Sequence, residues 1–98
     1  MVTDFTRNII RGAAHKAVMD QIMEWETMQE FSSPREDDYD YAEFMLAMPH
    51  ETMTDWIANS FIRLVGGNRA LKDRSADMKE RRKLIRKAIS DELTALGR

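Results

Sequence analysis

Ala14, Val18, Ile22 and Trp25 recur at spacings of four, four and three. That rhythm returns the chain to one side of an α-helix at every turn, and a strand, with its period of two, cannot use it. It comes back in Tyr41, Phe44, Met45 and Met48, and again in Met53, Trp56, Ile57, Phe61 and Leu64. No stretch alternates apolar and polar residues as a half-buried strand does. The chain is therefore expected to be all-α. Its 98 residues suit one domain around one small core, so 1–98 is read as a single helical domain. The expected architecture is a four-helix bundle-like fold with a long basic C-terminal helix.

Boundaries follow from capping chemistry. The first helix should run from about Asp4 to Glu30, capped by Thr3 or Asp4. Met19, Met23 and Met28 are expected to widen its buried face, and Gly12 weakens it unless another backbone comes close. In Ser33-Pro34-Arg35-Glu36, Ser at the cap, Pro at the first helical position and Glu at the third form a capping box for the second helix. Pro49 pushes Met48 out of helical geometry and ends that helix. A third helix should span Glu51 to Val65, with Gly66-Gly67 as its stop. Asn68 then caps a fourth helix reaching Leu96, with the stripe Leu71, Ser75, Met78, Arg82, Ile85, Ile89 and Leu96. The first half of that stripe is thin, which allows a break near Ser75.

Charge is segregated along the chain. Asp20 to Asp55 holds eleven acids against one basic residue, Arg35, a net of -10. Arg63 to Lys87 holds ten basic residues against Asp73, Asp77 and Glu80, a net of +7. Blocks of this kind neutralise each other in the fold, meet a second copy, or meet a partner. The acid peaks at Glu36, Asp37, Asp38, Asp40 and Glu43, with Tyr39 and Tyr41 among them as anchors, a negative surface suited to a basic partner. The base peaks at Lys79, Arg82, Lys83, Arg86 and Lys87, which fall within about 140° of one helix face. Such a face can contact phosphates, or pair internally through Asp77–Arg81 and Lys87–Asp91.

Catalytic chemistry finds little support. Without Cys there is no thiol nucleophile, thiolate metal site or disulfide. His15 and His50 have no partner at metal or catalytic spacing and are expected to cap or to lie on the surface. Gly66-Gly67 lacks the glycines or Lys of a phosphate loop, and no Ser sits in an elbow motif. Asp40-x-x-Glu43 followed by Glu51-x-x-x-Asp55 resembles the paired carboxylate motifs of all-α nucleotide pyrophosphohydrolases of the MazG type. That resemblance, over some sixteen residues, implies Mg²⁺-dependent nucleotide hydrolysis, with phosphates met by a basic residue of the fourth helix. The chain departs from the pattern by an Asp for Glu in the first pair and by spacing in the second.

The sequence thus points to a non-catalytic regulator, adaptor or inhibitor that docks on a larger protein or protein–nucleic-acid machine. Nucleic-acid binding through 79–87 is the alternative, and the pyrophosphohydrolase reading stands third. No cofactor, metal or catalytic residue is expected; a homo-oligomer is compatible with every reading. The N-terminus is polar and lacks the apolar core of a signal peptide, and no uncharged stretch is long enough to span a membrane. Cytoplasmic residence is the default expectation.

Overall fold

The computed structural model describes the backbone of residues 3–34, 36–72 and 76–98, and the side chains of these outside 63–78. Four helices are present: α1 (Asp4–Phe31), α2 (Asp37–Leu46), α3 (His50–Lys72) and α4 (Ala76–Ala95). No strand occurs among the described residues. α1 is the organising element: α2 and α4 pack along it, and α3 packs chiefly on α4. Helix–helix packing of this kind is the bundle architecture expected from the sequence. At 1.5 Å per residue α1 is about 42 Å long. It accounts for most of the 48 Å long axis of the molecule, which is only 27 and 19 Å across.

The core is the stripe of α1, namely Ile10, Ala14, Val18, Ile22 and Trp25, closed by residues of the other three helices. α2 contributes Ala42 and Met45, α3 contributes Met53, Ile57, Ala58 and Ile62, and α4 contributes Ile85, Ile89 and Leu93. The buried face of α1 is the expected stripe but narrower, and that of α2 is turned. Met28 packs against the core, but Met19 and Met23 are exposed. At 100° per residue they lie opposite the Ala14–Val18 side of α1, so their hydrophobicity does not make them part of its stripe. In α2 the buried pair is Ala42 and Met45, whereas Tyr41 and Phe44 face solvent. In α4 Leu93 is buried, and Leu96, just past its end, is exposed.

Three boundaries also differ from expectation. α1 is capped as expected, with the Thr3 hydroxyl accepting from the Thr6 N–H at 3.1 Å. The capping box at Ser33 does not form: the Glu36 N–H donates to the Ser33 carbonyl at 3.1 Å, closing a turn. α2 starts after Glu36, whose side chain makes no cap bond. The fixed φ of Pro34 suits the second position of a turn as well as the start of a helix, and here the turn prevails. Ser33→Ala should therefore cost less than about 0.5 kcal/mol in chemical denaturation, against about 1 kcal/mol for a true cap.

The second difference is at Gly66-Gly67, where α3 continues helical to Lys72. Glycine permits a left-handed stop without imposing one, at a cost of about 1 kcal/mol per residue inside a helix. Asn68 accordingly lies within α3 rather than capping α4, whose described residues start at Ala76. Arg35, Ser75 and the side chains of Leu64, Leu71 and Met78 lie outside the described residues. At its far end α4 closes as a Schellman motif. The Arg98 N–H donates to the Leu93 carbonyl at 2.8 Å and the Gly97 N–H to that of Thr94 at 3.0 Å. Gly97 supplies the positive φ of 74° that this closure requires.

Candidate functional site

α2 carries its acids where the helix dipole favours them, in and just before its first turn. Glu36, Asp37, Asp38, Asp40 and Glu43 are all exposed. None of them forms an ion pair or side-chain hydrogen bond among the described residues. Burial of Ala42 and Met45 turns the opposite side of α2 outward. That side brings Asp37, Tyr41 and Phe44 together at i, i+4 and i+7, with Asp40 one turn before Phe44. Phe44 is 70% exposed. Tyr41 is exposed beside it, whereas Tyr39 is half-buried on the other flank. Phe44 is the residue the sequence reading missed, because i, i+3, i+4 periodicity placed it in the core. The signal was the pair Ala42 and Met45, where a small residue lets α2 approach α1 closely.

The basic face of α4 is partly neutralised within the fold. Arg86 reaches Asp55 of α3 at 3.0 Å, and Lys87 reaches Asp91 at 3.5 Å, as its spacing implied. Arg82 is half-buried, and neither it nor Arg81 is free. The expected Asp77 partner of Arg81 lies among the side chains outside the described set. Lys79 and Lys83 are exposed. Lys83, Arg86 and Lys87 line a groove of about 460 Å³ between α3 and α4, but Glu51 and Asp55 line the same groove. Carboxylates there oppose an incoming phosphate.

His15 lies on the surface as expected and His50 is half-buried, and both tie helices together. His15 Nδ1 meets Glu92 at 2.7 Å across α1 and α4. His50, the first residue of α3, has Nδ1 3.0 Å from the main-chain oxygen of Arg98 and Nε2 2.8 Å from the Ser90 hydroxyl. A carbonyl oxygen only accepts, so Nδ1 carries the proton; in the neutral ring Nε2 then accepts from Ser90. The Arg98 guanidinium donates to the Leu46 carbonyl at 3.3 Å and to Glu26 at 3.2 Å. One cluster thus fastens the ends of all four helices.

Ser90 and His50 stand at nucleophile–base distance, but Ser90 lies inside α4, where backbone N–H groups are used by the helix and cannot stabilise an oxyanion. The cluster is best described as a fastening. His50→Ala should lower stability by about 1–2 kcal/mol in a urea titration, because Ser90 and the end of α4 lose their partner.

The four carboxylates of the pyrophosphohydrolase-like pattern do not converge. No group of three or more His, Asp or Glu side chains that could hold a metal ion exists among the described residues. Asp55 is engaged by Arg86. No helix among the described residues is long and apolar enough to cross a membrane. Comparison of the chain with protein-family models, with curated proteins and with solved structures gives no match.

Proposed function

We propose that this protein is a non-catalytic docking module that binds a larger, basic protein through the outer face of α2. The observation that carries this reading is the contrast between the two charged surfaces. The base on α4 is shared with Asp55 and Asp91, while the five acids of 36–43 meet no cation among the described residues. Exposed Phe44 and Tyr41 stand among those acids. A buried aromatic ringed by charge that steers and orients is the usual anatomy of a protein–protein hot spot. A regulator or inhibitor that blocks a basic groove is the concrete form of this reading.

Affinity capture from the native host with two baits tests it. The wild-type bait is expected to retain a partner that elutes as salt rises, and a bait carrying Asp37→Lys, Asp38→Lys and Asp40→Lys is expected to lose it. Equal retention by both baits refutes the reading. Nuclease treatment of the lysate separates the alternative of nucleic-acid binding by α4: a partner lost with the nucleic acid, yet kept by the α2 variant, favours Lys79 and Lys83 as the contact.

A further inference from the structure

We infer that the solvent face of α1 is a homodimer interface in which two copies of α1 pack antiparallel. Opposite its core stripe, α1 presents Phe5, Ile9, Gly12, Lys16, Met19 and Met23. Their spacings of four, three, four, three and four are those of a coiled-coil seam, whereas a solvated face needs no apolar residues at all. Phe5 is 74% and Met23 60% exposed, the long side of the molecule's longest helix. The seam extends about 27 Å.

Two features select a second copy, and one running in the opposite direction. First, the spacing is its own mirror image. Turned about a two-fold axis near residue 14, Phe5 of one copy meets Met23 of the other, Ile9 meets Met19, and Gly12 meets Lys16. Ring against thioether is a favourable contact, and self-complementarity is what a two-fold interface demands. Antiparallel packing also opposes the helix dipoles. Parallel packing would align the dipoles and place Lys16 on Lys16.

Second, Gly12 has no close neighbour to accommodate among the described residues of one copy. A Cβ there would meet nothing within 4 Å, yet glycine inside a helix costs about 1 kcal/mol relative to Ala. Against the second copy it leaves room for the Lys16 stem, whose ammonium stays with Asp20 at 2.7 Å.

Sedimentation equilibrium over a concentration series, with circular dichroism to monitor folding, tests the inference. The wild type should reach twice the 11.4 kDa chain mass. Ile9→Lys and Met19→Glu should each halve that mass while the helical spectrum and melting are kept, because both positions are exposed. The double variant Ile9→Lys, Met19→Glu should dimerise again, since the introduced charges meet as opposite pairs twice across the two-fold. Should a charged variant melt early, Ile9→Ser and Met19→Ser ask the same question without charge. A wild type that stays monomeric throughout overturns the inference. So does a dimer indifferent to the single substitutions, and a double variant that remains monomeric overturns the antiparallel register.

Discussion

Trp25→Ala is expected to remove about 3–5 kcal/mol of stability and to lower the melting temperature by about 15–30 °C. Trp25 is 1% exposed and stands where α1 meets the other helices. Its ring packs edge-to-face on Trp56 with centroids 5.4 Å apart and planes at 61°. Truncation removes the largest buried side chain and that aromatic contact, and it leaves a cavity whose walls belong to rigid helices. A domain of this size has about 5–15 kcal/mol in total, so the variant should be marginal at ambient temperature. Trp56, at 37% exposure, anchors the other end of the contact from the surface, and its removal should cost far less. Urea denaturation followed at the helical band checks both; a loss below about 1 kcal/mol for Trp25→Ala contradicts the account of the core.

The second large effect concerns α2. Reversing Asp37, Asp38 and Asp40 together should leave folding nearly untouched, because all three are exposed and pair with nothing among the described residues. Some stability will be lost through the helix dipole, about 0.3–1 kcal/mol for each charge at the first turn. Binding should respond on another scale. Each reversed charge replaces attraction by repulsion, and a combined loss of about 3 kcal/mol corresponds to about 100-fold in affinity. Phe44→Ala separates the apolar from the electrostatic part: it should speed dissociation without changing the salt dependence.

The existence and order of four helices could be read from spacing alone, because a 3.6-residue period over ten or more residues has no competing explanation. The orientation of faces was harder. Met19 and Met23 are as apolar as Met28, and only the angle about α1 distinguishes a second seam from a wide first one. In α2 a single small residue, Ala42, decided which side faced α1, and hydrophobicity alone favoured Tyr41 and Phe44. Gly66-Gly67 and the box at Ser33 are local signals with two solutions each, and the continuation of α3 and the turn before α2 prevailed. The fastening of His50, Ser90 and Arg98 joins residues 40 and 48 positions apart and left no local trace. The acidic patch was legible because consecutive charges at a helix start are exposed almost wherever the helix packs. Whether it was spent inside the fold required the geometry of α4.

The most direct test is a titration of the captured partner against the wild type and the Asp37, Asp38, Asp40 reversal across a salt series. The account predicts wild-type affinity that falls steadily as salt rises, and a variant about 100-fold weaker at low salt with little further salt dependence. Affinities within twofold of each other at low salt would contradict it and remove α2 as the docking face.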